Sequence, residues 1–315
     1  MGAGVLIDTE WVAAHLDDPA VRLVQVDEDA LLYDVGHIPG AARLRWDADL
    51  QATGSRDVLD ADACAALLGV LGVGPATTVV LYGDRSNGWA TYAHWVLRYR
   101  GHADVRLLDG GHAAWAREGR PLTKAVPTFA PADYPTLRPR PDLRASAPEV
   151  LRALTDGGAT LIDARPQPQY AGKVFPASGY PATGAHRGGH IPGAVNVPWT
   201  AFAREDGRLK SPEALRRLYR DAGIDLARPI VTYCIIGVGS SFTCLVLRDL
   251  LGHPDVRNYD GSWMEWGSSI GYPVALGAEA DTRRGGRPCP SRRRRSGSLT
   301  RRLAASGRRA TRRCT

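Results

Sequence analysis

The sequence predicts two small α/β domains in tandem, each a parallel sheet covered by helices on both faces. Three observations carry that prediction. First, GHIPGA occurs at 36–41 and again at 189–194, and LLDGGHAAW at 107–115 is matched by NYDGSWMEW at 258–266. Further matches share nearly the same spacing: Tyr82 with Tyr233, Gly101-His102 with Gly252-His253, and Asp104-Val105-Arg106 with Asp255-Val256-Arg257. A near-constant offset over such a span means one domain copied twice. Second, short apolar runs alternate with helical patterns, and strands apolar on both faces belong to parallel sheets buried on both sides. Third, residues 123–144 hold Pro127, Pro131, Pro135, Pro139 and Pro141, which deny both helix and sheet pairing, so the joint is an extended linker. The expected division is a first domain over 1–122, the linker over 123–144, a second domain over 145–276 and a tail over 277–315.

The second copy shows the alternation most clearly. Ser146 can cap a helix carrying Val150, Leu151 and Leu154. ATLIDAR then reads as a short buried strand ending at Asp163. Ser211-Pro212-Glu213 opens a helix over 211–222, with proline at its first position, where a missing N–H costs nothing. PIVTYC at 229–234 is a continuous apolar strand, Ser241 to Leu251 a helix, and VRNYD at 256–260 another strand.

The chain has 315 residues, 44% of them apolar and 23% charged, which excludes a disordered, collagen-like or coiled-coil protein. Its net charge of +7 suggests nucleic acid until it is located. Residues 277–315 carry thirteen Arg against Glu279 and Asp281, so the remainder of the chain is mildly acidic. The tail lacks apolar periodicity and is expected to be disordered, and Arg runs without interleaved aromatics carry little nucleic-acid specificity. Five cysteines, at 64, 234, 244, 289 and 314, form no CxxC pair; their odd number in a chain with a full core points to free thiols in a reducing compartment. No leader-like segment or apolar run of 18 residues is present, so the expectation is a cytoplasmic protein without a membrane partner.

Chemistry concentrates in IVTYCIIGVGSSFTCLVL. A strand stops at Cys234, and Gly237 and Gly239 permit a tight loop whose backbone N–H groups turn inward before a helix near Ser240. Convergent N–H dipoles and a helix N-terminus favour thiolate over thiol, which makes Cys234 the candidate nucleophile; Cys244, inside an apolar helix, reads as structural. Other readings fail on detail. A dinucleotide fingerprint would need a small residue where Phe242 stands. A phosphatase loop would need an arginine, and no basic residue occurs from Ile235 to Leu247. His186 and His190 are separated by Gly188-Gly189, which disfavours a helical metal pair, so His190 belongs to the GHIPGA turn.

Tandem α/β copies, each with GHIPGA and with DGG or DGSW after the last strand, and a cysteine loop in the second copy alone, resemble the two-domain rhodanese sulfurtransferases over residues 5–276. The resemblance implies tandem rhodanese-like domains, a persulfide on Cys234, and a silent first domain, where LYGDRSNGW sets Gly83 and Asp84 in place of the thiol. It also implies a pocket lined by Arg165, with Lys173 in the segment that follows. Thiosulfate-using members place a cation after the cysteine or later in the loop, where Ile235 and Gly239 stand here, and mercaptopyruvate users carry small polar residues that Ile235-Ile236 do not match.

The reaction implied is a double displacement. Cys234 takes sulfane sulfur from thiosulfate or a related small donor, and cyanide or a thiol acceptor removes it. Backbone N–H groups of 235–240, including those of Gly237 and Gly239, and the hydroxyls of Ser240 and Ser241 would stabilise the persulfide anion. No metal or organic cofactor is required. The alternatives are a persulfide carrier or binding protein without turnover and a 3-mercaptopyruvate sulfurtransferase. Trp199, Trp263 and Trp266 read as core or domain-interface residues.

Overall fold

The computed structural model describes residues 4–135, 137–174 and 185–278. Apart from Gly277 and Ala278, the Arg-rich tail expected from 277 onward lies outside these residues.

The first half runs β1 (Leu6–Ile7), α1 (Thr9–Ala14), β2 (Val21–Gln25), α2 (Leu32–Val35), β3 (Ala42–Arg43), α3 (Ala61–Val70), β4 (Thr78–Tyr82), α4 (Gly88–Arg100), β5 (Val105–Leu108) and α5 (Gly111–Arg117). The second half runs α6 (Ala147–Asp156), β6 (Thr160–Asp163), α7 (Gln167–Tyr170), β7 (Val195–Asn196), α8 (Pro212–Asp221), β8 (Ile230–Tyr233), α9 (Val238–Leu245), β9 (Val256–Asn258) and α10 (Ser262–Trp266). The strands form two parallel sheets flanked by helices, in the orders β1-β5-β4-β2-β3 and β7-β6-β8-β9. After β1 is set aside the two orders are the same. In the second sheet a parallel bridge from Arg144 to Asn258 occupies the edge that β1 holds in the first.

Local chemistry accounts for the elements. Ser146 and Glu149 close a capping box at the start of α6, and the Ser211 hydroxyl accepts from the Ala214 N–H at the start of α8, with Pro212 at its first position. Every residue of β8 is buried, as expected of a central parallel strand. Each GHIPGA turn is built in the same way. His37 stacks on Tyr33 and His190 on Tyr170, both at 3.7 Å; the Tyr82 hydroxyl accepts from the Ile38 N–H, as Tyr233 does from Ile191, both at 3.0 Å. His190 is thus a structural residue of the turn.

Three boundaries differ from the sequence expectation. The helix after Cys234 starts at Val238, earlier than Ser240, and finishes in a π-helical turn over Val246–Leu250. The last strand ends at Asn258 because Tyr259 to Gly261 turn back toward the cysteine loop. The proline-rich joint pairs with His37 at Thr123, lies against the first half and ends in a 3₁₀ turn over Pro141–Leu143: Arg22 sits 3.9 Å over the Phe129 ring, the Ala132 N–H donates to Gly69 O, and Tyr134 meets His102.

Val238 and Leu245 of α9 sit in the same apolar cluster as Trp89, Tyr92, Ala93 and Val96 of α4, so the core is continuous across both halves. A valine or leucine side chain such as Val96 or Leu245 contributes about 1.5–3 kcal/mol when fully buried. Trp199 fills the seam. Its ring lies where a Cβ on Gly88 or Gly239 would be, 3.2 Å away at Gly88 and inside van der Waals contact at Gly239. These glycines hold corresponding positions in the two copies, and each lets α4 or α9 approach the indole. Trp263 and Trp266 are buried in the second half's core.

Candidate active site

In an open parallel sheet a ligand site forms beyond the carboxyl ends of the strands, where the chain order reverses. In the second sheet that point lies between β6 and β8, and Cys234 is the first residue past β8. Its side chain is 5% exposed. The Gly237 N–H donates to Sγ at 3.2 Å, and the Ser240 hydroxyl, from the first turn of α9, donates at 3.6 Å. Gly237 makes this possible with φ 95°, a left-handed conformation that turns its N–H back toward the sulfur. Ser262 lies below: its hydroxyl accepts from the Cys234 N–H at 3.0 Å and sits 4.0 Å from Sγ. With N–H and O–H groups aimed at one sulfur, the site can hold negative charge there or on an attached atom. Cys64 and Cys244 are buried thiols, both pushed up to about 12 by burial, which disfavours the nucleophilic thiolate at either.

The expected site residues fare differently. Cys234, Gly237 and Ser240 are brought together. Ser241 is not: its hydroxyl donates to Gly237 O at 2.6 Å and accepts from Asn258, so it braces the loop from behind. Gly239 is an ordinary helical residue pressed on Trp199, and its N–H is not seen on the sulfur. Arg165 is withdrawn from solvent at 3% exposed. Its guanidinium donates to both Asp163 oxygens and to Gly189 O at 2.7 Å, and it lies 4.4 Å over the Trp263 ring. Arg165 is thus paired with Asp163, and its charge stays within electrostatic reach of Cys234. Lys173 is exposed in the turn after α7 and reaches neither Cys234 nor its loop among the described residues.

Three residues were not legible as site components. Ser262 adopts φ 54°, where the first copy has Gly111 at φ 57°; a serine standing at a glycine position, against about 1–2 kcal/mol of strain, is the signal that could have marked it. Arg56, from the first half, donates to Ile236 O and Asp260 O, and Arg144 binds Asp260 through two bonds and Asp57 at 2.8 Å. Nothing local in the sequence announces either arginine. No cluster of three or more His, Cys, Asp or Glu side chains is placed to hold a metal ion among the described residues.

The corresponding loop of the first copy is closed. A Cβ at Gly83 would run into Val26 O, and Asn87 fills the cradle by accepting from the Gly83 N–H and donating to Leu108 O.

The Rhodanese-like domain profile matches this sequence twice, over residues 8–118 and 146–269. The chain belongs to the rhodanese family. Within it, the chain is similar to the Sulfur carrier protein TtuD of Thermus thermophilus, with 47% identity over 278 residues, 87% of this chain and 98% of that one. A Saccharopolyspora erythraea protein provisionally named thiosulfate sulfurtransferase is 44% identical over 86% of this chain and 95% of its own. Among solved rhodanese folds, SseA of Escherichia coli, described as a 3-mercaptopyruvate sulfotransferase, superposes with a TM-score of 0.71 at 28% identity, covering 83% of this chain and 99% of that one. In this rhodanese no helix among the described residues is long and apolar enough to cross a membrane.

Proposed function

We propose that the protein is a sulfurtransferase carrying sulfane sulfur as a persulfide on Cys234. The observation that carries the reading is the sulfur at the end of β8 with the Gly237 N–H and the Ser240 hydroxyl both directed at it. The thiolate attacks the outer sulfur of thiosulfate, the S–S bond to the sulfonate breaks, and sulfite leaves with that bond's electron pair. Cyanide or a thiolate then attacks the terminal persulfide sulfur and returns Cys234 to its thiolate. Thiosulfate is the donor we favour, on the naming of the 44% identical relative. The similarity to SseA supports a 3-mercaptopyruvate donor instead.

A second reading is a persulfide carrier that loads without rapid turnover. The relative named as a sulfur carrier favours it, as do Ile235 and Gly239, which leave the loop without a cation for an anionic donor. Intact mass after incubation with thiosulfate or 3-mercaptopyruvate tests all three. One added sulfur identifies the donor, and Cys234→Ser is expected to abolish the gain because a hydroxyl is a poor nucleophile without a neighbouring base. Loading that persists in Cys234→Ser overturns the assignment. Multiple turnovers with cyanide indicate an enzyme, whereas one loading per chain indicates a carrier.

A further inference from the structure

The peptide unit joining Ile236 to Gly237 faces two ways. Its N–H donates to Cys234 Sγ at 3.2 Å, and its C=O accepts from Arg56 Nη2 at 3.0 Å. Arg56 comes from the half whose own loop is closed, 180 positions away in the chain. The same Nη2 donates to Asp260 O at 3.1 Å, and Asp260 is the residue against which Gly237 packs, so one guanidinium ties the loop to its support. The neighbouring Asp57 extends the tie, since it pairs with Arg144 at 2.8 Å and Arg144 holds the Asp260 carboxylate at 2.7 and 3.0 Å.

We infer that Arg56 is a positioning residue for the Cys234 loop: it fixes the 236–237 peptide with its N–H toward the sulfur and polarises that N–H from the carbonyl side. The inference rests on Cys234 as the sulfur-bearing residue. Two physical arguments support it. A peptide next to a glycine at φ 95° is free to rotate, and rotation would turn a carbonyl oxygen toward the sulfur, opposing negative charge there. A cation on the carbonyl prevents this. Hydrogen bonds in series also strengthen one another, so a charged donor on the C=O makes the N–H a better donor to sulfur. The loop has no cation of its own, with Ile at 235 and Gly at 239, so Arg56 acts in place of one without touching a substrate.

The test compares wild type with Arg56→Met, which keeps an apolar stem and removes the charge, and with Arg56→Lys, which restores the charge on one donor. The readout is the pH profile of Cys234 alkylation by iodoacetamide, followed by mass at that residue, beside thermal unfolding. Arg165, whose charge interacts with Cys234, and the Asp163 it pairs with are the same in all three. The alkylation midpoint is expected to rise by roughly half to one pH unit in Arg56→Met and by less in Arg56→Lys. Sulfur loading is expected to fall about three- to tenfold in the methionine variant, on the same weakening of one charge-assisted interaction. An unchanged midpoint in Arg56→Met overturns the inference, even with a lower melting temperature, and so do equal shifts in the two variants. If Arg56→Met does not fold, Arg56→Lys decides alone: an upward shift of the alkylation midpoint supports the inference, and an unchanged midpoint overturns it. Wild type that gains no sulfur at Cys234 would instead overturn the persulfide reading, and the alkylation profile stands apart from that result.

Discussion

At the scale of single residues, the two copies differ by exchanges that carry chemical consequence. Ser262 stands where the first copy has Gly111, holding φ 54° so that its hydroxyl reaches the Cys234 N–H. Ser262→Gly removes strain of about 1–2 kcal/mol and two hydrogen bonds, from the Cys234 N–H and to Tyr259 O, of about 1 kcal/mol each, so thermal unfolding should stay within a few degrees of wild type while sulfur loading slows. Ser262→Ala keeps the strain and loses both bonds, and should melt lower than the glycine variant. Loading at the wild-type rate in both would show that the hydroxyl plays no part. Another exchange sets Gln25 and Asp27 where the second copy has the Asp163–Arg165 pair. Burial pushes the Asp27 carboxyl up to about 6, while the Gln25 Nε2 donates to it at 2.5 Å. A carboxyl raised by folding keeps a proton that the unfolded chain has released, so its contribution to stability falls as pH rises from its ordinary range to about 6 and stays lower above it. Asn at 27 can still accept from the Asp84 N–H and, with the Gln25 amide turned over, donate to Gln25 Oε1, which is buried without a partner among the described residues. Asp27→Asn should therefore exceed wild type by about 1–3 kcal/mol in urea unfolding at pH 7.5 and by little at pH 4. A gain of equal size at both pH values would assign the effect to packing.

At the scale of elements, α9 has to carry the site and the seam together. Its first turn presents Ser240 to the sulfur, while Gly239, one residue earlier and on another side, lies flat on Trp199. The indole cannot easily move, because it packs edge-on against Phe242 at 5.7 Å, which in turn stacks on Phe202. Gly239→Ala is accordingly expected to destabilise by about 1–3 kcal/mol through overpacking, and an arginine there has no room at all. Urea unfolding checks the alanine variant, and a loss below half a kcal/mol would show that the ring shifts freely. This steric demand explains why the loop has no cation at position 239.

At the scale of the whole molecule, one apolar cluster draws side chains from both α4 and α9, and Arg144 joins Asp57 to Asp260 across the halves. Two copies that share a core should unfold together. Tryptophan fluorescence and far-ultraviolet circular dichroism are expected to report one coincident urea transition in wild type. Trp199→Ala, which opens the seam between Gly88 and Gly239, should lower the midpoint and pull the two curves apart. Two resolved transitions in wild type would show that the halves are independent despite their common core.

The sequence by itself determined what repeats and what is local. The matched GHIPGA and DGG/DGSW motifs revealed the tandem α/β plan, because a duplicated fold repeats its turn chemistry at constant spacing. The apolar strand halting at Cys234 before two glycines marked the candidate nucleophile, because a tight loop of inward N–H groups is encoded within a few residues. The partners of polar side chains were less legible: sequence shows that the Ser241 hydroxyl exists but not that Gly237 O takes it, whereas Arg165 two residues after Asp163 is close enough in the chain for their pairing to be foreseen. Contacts between distant positions were decided only by the tertiary structure. Arg56 meets the 236–237 peptide, and Trp199 meets Gly88, because α4 and α9 pack face to face, and no local pattern in either segment encodes its partner.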